Sequence, residues 1–221
     1  MRYAKRFACL LAFWLCALGI SAQTELYDLS KLRDCDLLFH VSTEENAITS
    51  VTEGTNQQKI DHVAIFLYID NQPYVIEAIE EGVVFTPLDS VLRRDGYHLV
   101  GRVRGTLDRA STLNRAKALL GRSYDHLYLS DNTPIYCSEL VQLSFVRPDG
   151  KEVFGTIPMT FTTTDGSTLP YWTDFYAEHG MAVPEGQPGT NPGELSRRKC
   201  VKVKYMIKRQ GARGKIGGGE R

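Results

Sequence analysis

The chain has 221 residues, 43% of them hydrophobic and 10% aromatic, with 26 Lys and Arg balanced by 26 Asp and Glu. That is enough apolar material for one domain with a full core, and it excludes a chain that is disordered throughout. The balance of charges gives no signature of a nucleic-acid binder, although basic residues are concentrated from Arg197 through Arg213.

In chain order, Arg2, Lys5 and Arg6 precede an apolar run from Phe7 to Ile20, and Ser21-Ala22 supplies small residues. This pattern is that of a secretory signal peptide over residues 1–22, cleaved near Ala22 or Gln23. An uncleaved membrane anchor is the alternative, but the run is short for a span and no second apolar stretch follows. The expectation is therefore a soluble exported protein, secreted or periplasmic, with one domain over residues 23–207 and a basic, glycine-rich tail over 208–221 expected to be disordered. Loss of the leader leaves 23 basic against 26 acidic residues, a net charge of −3, and three cysteines, Cys35, Cys137 and Cys200. An odd number in an oxidising compartment leaves at least one thiol unpaired. If Cys35 and Cys200 bridge, that thiol is Cys137.

Asp36 to Val41 reads as a buried strand closed by His40, and Glu45 to Thr52 as a short helix with Gly54 as its glycine cap. Gln57 to Asp61 reads as a polar connector. Asp61 to Ile69, β-branched and aromatic and apolar on both faces, reads as a central strand. Tyr74 to Ile79 reads as its hairpin partner across Asp70-Asn71-Gln72-Pro73, followed by a third strand from Val83 and a fourth from Tyr97 to Val103. The meander implies an antiparallel sheet. Asp108 caps a predicted helix running to about Leu120, with Gly121 at its stop position. A loop from Gly121 to Pro134 carries Tyr124, His126, Tyr128 and Asn132. A short helix opens near Thr168 and Pro170; its aromatics, from Tyr171 to Tyr176, serve either as a substrate wall or as cover for a sheet edge. A last strand runs from Cys200 to Ile207.

The stretch that carries chemistry is Tyr136-Cys137-Ser138-Glu139-Leu140-Val141, a cysteine at the mouth of an amphipathic segment that Pro148 stops. The positive end of a helix stabilises a thiolate, so this is where a nucleophilic thiol belongs. A lone cysteine is more often an inert core filler, and catalysis needs an imidazole and a group to orient it. His62, in an apolar strand behind Asp61, and Glu77, flanked by Val75, Ile76, Ala78 and Ile79, are the polar residues that need a partner. A tight turn at Asn71-Gln72 would pair Phe66 with Glu77 and leave His62 about 13 Å away at strand rise, so contact requires a wider turn or a bulge.

Cys35-Asp36-Leu37-Leu38-Phe39, Asp61-His62-Val63-Ala64-Ile65-Phe66, Val75-Ile76-Glu77-Ala78, Gly82-Val83-Val84 with Thr86-Pro87-Leu88, Gly121-Arg122-Ser123-Tyr124-Asp125 and the cysteine block occur in one order along residues 34–146. In this the chain resembles the YiiX/YebB-like branch of the NlpC-type cysteine hydrolases, which look like papain circularly permuted: histidine, polar residue, then cysteine. The resemblance implies an α+β fold, an antiparallel sheet or half-barrel packed against helices. It implies Cys137 as nucleophile, His62 as base and then acid, and Glu77 as orienting residue. Backbone N–H groups at the helix start would hold the oxyanion, with Tyr124 and Tyr136 at the substrate. Cys35 departs from the glycine often found there, which puts the local turn in question.

The implied activity is cleavage of an amide bond in a peptide or small amide substrate, with peptidoglycan stem peptides or other lysine- or glutamate-containing amides as the substrate class. A thiol acyltransferase or lipid-cleaving enzyme of the same fold, and a binding module that keeps the cleft, are the alternatives. No H-E-x-x-H, paired C-x-x-C or glycine-rich phosphate loop is present, so neither metal nor cofactor is expected, nor a nucleic-acid partner.

Overall fold

A computed structural model describes residues 29–130, 132–163 and 165–207. The expected signal peptide and basic tail lie outside the described residues. The chain runs β1 (Leu37–Val41), α1 (Ala47–Val51), β2 (Ile60–Ile69), β3 (Gln72–Ile79), β4 (Gly82–Pro87), α2 (Leu88–Leu92) and β5 (Tyr97–Val103). It continues with α3 (Arg109–Ala118), α4 (Cys137–Ser144), β6 (Ile157–Pro158), α5 (Pro170–Glu178), β7 (Pro188–Gly189), α6 (Pro192–Arg197) and β8 (Val201–Ile207). Six strands form one sheet in the order β4-β3-β2-β1-β5-β8, every neighbour antiparallel, while β6 and β7 pair separately.

The central position of β2 follows from its composition. Val63, Ile65 and Leu67 join Leu37, Phe39, Ile76 and Ala78 in a core with Leu140, Val141 and Phe145 at α4 and Ala116 of α3. Ala64 and Phe66 face the other way, into a second core with Leu38, Val75, Val100 and the α2 residues Leu88, Val91 and Leu92. A strand buried on both faces must be apolar at both parities, and each fully buried large side chain contributes about 1.5–3 kcal/mol.

The β2–β3 hairpin differs from the expected one. The turn residues are Asp70 and Asn71, both left-handed with φ of 48° and 62°, and the register runs from Ile69 opposite Gln72 to Ile65 opposite Ile76. Asp and Asn tolerate this conformation, and a two-residue turn of this hand matches the strand twist. Phe66 therefore lies opposite Val75, not Glu77. Continuing the register one step beyond Ile76 sets Glu77 beside Ala64, two residues from His62, where long side chains on adjacent strands meet diagonally. A bulge also sits beside His62: His40 lies opposite His62 and Val41 opposite Ile60, leaving Asp61 as the extra residue.

Other boundaries also move. The first helix is capped by Asn46, whose side chain accepts from the N–H groups of Ile48 and Thr49, and it ends at an extended Thr52 rather than at Gly54. Ile60 already belongs to β2. Helix α6 was not expected, although Asn191 caps it and Pro192 opens it. Cys35 keeps the turn before β1 at φ 64°, the left-handed region that glycine favours, held by its N–H donating to Phe66 O at 2.8 Å.

Candidate active site

Cys137 is the first residue of α4, and Tyr136, in the cap position, offers no side-chain cap to the helix. With no side-chain cap on this end, N–H groups of the first turn are left for an oxyanion. The chain reaches this point along a loop fixed to β4. Gly82 has φ 95°, and a Cβ there would come within 2.4 Å of Arg122 O. The N–H of Val83 donates to that oxygen and the N–H of Gly121 to Val83 O, each at 2.9 Å. Asp125, buried, folds the next residues by accepting from the N–H groups of Leu127 and Leu129 and from the Asn132 amide.

The imidazole of His62 bridges the two other expected residues. Its Nε2 donates to Glu77 Oε2 at 2.7 Å, and the ring lies close enough to Cys137 for the sulfur to act on its pKa. With Nε2 committed to Glu77, Nδ1 is the nitrogen available to the sulfur. The structure thus brings Cys137, His62 and Glu77 together from α4, β2 and β3.

The other four histidines are spent elsewhere. His40 Nδ1 lies 2.6 Å from Asp61 Oδ1, with its Nε2 at 2.5 Å from Asp95 O. His98 is buried beside His40, their ring centroids 5.2 Å apart, and burial together with the neighbouring His40, His62 and Arg94 pushes its pKa down to about 3. His126 faces Glu80 at the surface, and His179 bonds Phe175 O within its own helix.

Sequence reasoning missed Arg94. It lies just after α2, and its guanidinium grips Glu77 with both nitrogens, Nη1 to Oε2 at 2.7 Å and Nη2 to Oε1 at 2.6 Å. Glu77 is fully buried, so its charge persists only because it is paired. Burial opposes ionisation, but the hydrogen bonds from His62 and Arg94 outweigh it and hold the carboxyl well below the usual carboxylate range. For His62, burial acts against the charged ring, yet the contacts with Cys137 and Glu77 dominate and raise its pKa to about 10.

A cleft opens at the thiol, lined by Cys137 and Ser138 together with Tyr124, Tyr128, Tyr136 and Trp172. Burial, then the nearby Cys137, pushes the Tyr124 hydroxyl well above the usual phenol range, so it stays neutral. Tyr136 is almost wholly buried, and its hydroxyl accepts from Thr190 N–H at 3.0 Å. Trp172 answers the question left open for the aromatic helix, since it stands in the cleft wall. Cys35 and Cys200 form no disulfide, and all three cysteines of the described chain are free.

A thiol at a helix start, served by an imidazole and a carboxylate from two adjacent antiparallel strands that precede it in the chain, is the set of parts of a permuted papain-like cysteine hydrolase. The chain belongs to the permuted papain-like amidase family, YaeF/YiiX, C92, whose model matches residues 31–203. The fold is also that of the metalloprotein YiiX from Escherichia coli O157:H7, at a TM-score of 0.63 and 20% identity over 80% of this chain and 97% of that one. No match was found among curated proteins.

Proposed function

We propose that this protein is an exported cysteine amidase in which Cys137, His62 and Glu77 act as a triad, with cell-wall stem peptides or other lysine- or glutamate-containing amides as the substrates the resemblance suggests. The observation that carries the reading is the imidazole of His62 held between the thiol of Cys137 and the carboxylate of Glu77. Membership of an amidase family supports the reaction type.

His62 and Cys137 share one proton, and the ring, its pKa raised to about 10 by Cys137 and Glu77, carries it as the sulfur attacks the carbonyl carbon, with Glu77 balancing the charge on the ring. First-turn N–H groups of α4 stabilise the oxyanion. The C–N bond breaks as His62 passes its proton to the departing amine, leaving a thioester on Cys137. Water, deprotonated by His62, adds to that thioester; the S–C bond breaks, the acid leaves and the proton returns to sulfur. The YiiX structure is described as a metalloprotein. Among the described residues here, no group of three or more His, Cys, Asp or Glu side chains is placed to hold a metal ion, and each step above uses the chain's own groups.

The test is to incubate purified protein with peptidoglycan fragments and simple amides and to identify products by mass spectrometry. Free amine and acid in equal amounts, absent with Cys137→Ala, are expected. Acyl transfer to an added amine with no free acid would instead make the protein a transferase.

A further inference from the structure

The cleft at Cys137 is lined by the cysteine but not by His62 or Glu77. The leaving amine must lie against His62 to receive its proton, so the half of the substrate that enters this cleft is the acyl half. Ile48 and Val51 of α1, Tyr128, Met159, Phe161 and Trp172 supply its apolar surface. The rings are fixed by edge contacts: Tyr128 to Trp172 with centroids 5.9 Å apart, and Phe161 to Trp172 at 5.1 Å. Tyr128 holds its place with a left-handed backbone, φ 53°, which a non-glycine residue adopts only where its surroundings impose it.

Two polar side chains of the lining, Thr190 and Asp61, are held by neighbouring groups. Thr190 Oγ1 donates to Ser138 Oγ at 3.0 Å, and the single charged group, Asp61, is held by His40 at 2.6 Å and by the Asn46 amide at 2.9 Å. No lysine or arginine lines the cleft. Trp172 adds a donor: it is buried and its Nε1 has no hydrogen-bond partner in the protein. A buried N–H of this kind requires an acceptor, and a ligand is the source the cleft admits.

Resting on the amidase reading, we infer that the acyl half of the substrate is an apolar chain or ring carrying a neutral hydrogen-bond acceptor for Trp172, not a charged side chain, so that any lysine or glutamate of the substrate falls on the amine side of the scissile bond. A carboxylate would meet no cation there, and an ammonium would have to take Asp61 from His40 and Asn46.

The test uses amides of one fluorogenic amine, 7-amino-4-methylcoumarin, with N-acetylphenylalanyl, hexanoyl, acetyl, γ-glutamyl and lysyl groups. The expected kcat/KM for the first two exceeds that for the γ-glutamyl and lysyl compounds at least tenfold, and Trp172→Phe narrows the lead of N-acetylphenylalanyl over hexanoyl. Equal or faster hydrolysis of either charged amide overturns the inference and leaves the amidase reading standing. In parallel, N-acetylphenylalaninamide, glutamine (the primary γ-amide of glutamate, with its α-carboxylate free) and lysinamide are titrated into Cys137→Ala protein and followed by saturation-transfer NMR. Binding of the phenylalanine amide alone, with no hydrolysis by wild type, sustains the apolar site and removes the amidase reading. Failure of the phenylalanine amide to bind, or binding of the charged amides as well as it, removes the apolar site.

Discussion

Arg94 and Glu77 form a two-point contact, at 2.7 and 2.6 Å, directly behind the imidazole that Glu77 orients. The guanidinium fork matches both carboxylate oxygens, so it fixes the rotamer as well as the charge. Arg94→Met should destabilise the fold by about 3 kcal/mol, because it leaves a buried carboxylate with one partner fewer. It should also move the acid limb of kcat/KM to higher pH, since Glu77 then protonates more easily. Arg94→Lys should fall between. Chemical denaturation and pH-rate profiles on the same preparations check this; an unmoved acid limb would reduce Arg94 to a structural role.

Cys137→Ala and His62→Ala should each lower turnover by roughly 10⁴-fold or more, and the double variant should cost little beyond either one, because the residues act as a unit. Glu77→Gln keeps shape and an acceptor but loses the charge, so its activity should fall by roughly 10²–10⁴-fold without vanishing. Steady-state rates together with thermal unfolding report both effects. Wild-type turnover by folded His62→Ala protein would sink the triad.

The titrations of His62 and Glu77 set a pH window. His62 goes from 6.5 unfolded to about 10 folded, so its contribution to stability is complete below about 6.5 and lost as pH rises through about 10. The Glu77 carboxyl is depressed from 4.5, so its contribution is present above that value and lost as pH falls toward its folded pKa. Glu77→Gln should therefore flatten the stability profile at both ends and pull the alkaline limb of activity downward. Melting temperatures from pH 3 to 10.5 measure it.

Glu139 titrates with the opposite consequence. Burial, with Asp125 adding to it, raises its carboxyl from 4.5 to about 7, against the Tyr136 N–H and Arg122. The folded state holds this proton after the unfolded chain has released it, so stability falls as pH rises from about 4.5 to about 7. Glu139→Gln should remove that slope. An unchanged slope in urea titrations across this range would show that Glu139 does not carry it.

The cysteines should separate by reactivity. Cys137, though buried, lines the cleft, whereas Cys35 does not line it, and desolvation, with Asp34 next, pushes the Cys35 thiol up to about 12. Burial also raises Cys200. Brief treatment of folded protein with iodoacetamide, followed by peptide mass mapping, should find the adduct on Cys137 and leave Cys35 and Cys200 unmodified. Labelling of Cys35 at a comparable rate would contradict its placement away from the cleft.

The sheet was legible because its strands are short apolar runs between turn residues, and β2 announced its central place by being apolar at both parities. Cys137 was legible from its place ahead of Leu140 and Val141, and His62 and Glu77 from being polar where neighbours are not. The contact between the last two was not. Asp70-Asn71-Gln72-Pro73 has turn composition at every position, and only the backbone reveals which pair takes the left-handed conformation. Arg94 was hidden because a surface arginine after a short helix resembles any other; its partner lies 17 positions away. Asn191-Pro192 was a readable helix start, an Asn cap followed by a first-turn proline, that went unused.

The hairpin at Asp70-Asn71 carries a constraint unusual for a surface turn. Seven residues of β2, eight steps or about 26 Å at strand rise, separate it from His62. Most loop tips absorb an added residue without consequence to distant parts. Here one residue inserted into β3 between the turn and Glu77, with pairing kept, would present Glu77 to the opposite side of the sheet, since side chains alternate. Length variation at this remote tip is therefore coupled to chemistry at the far end of the strand, and homologues should tolerate substitution there far more readily than insertion or deletion.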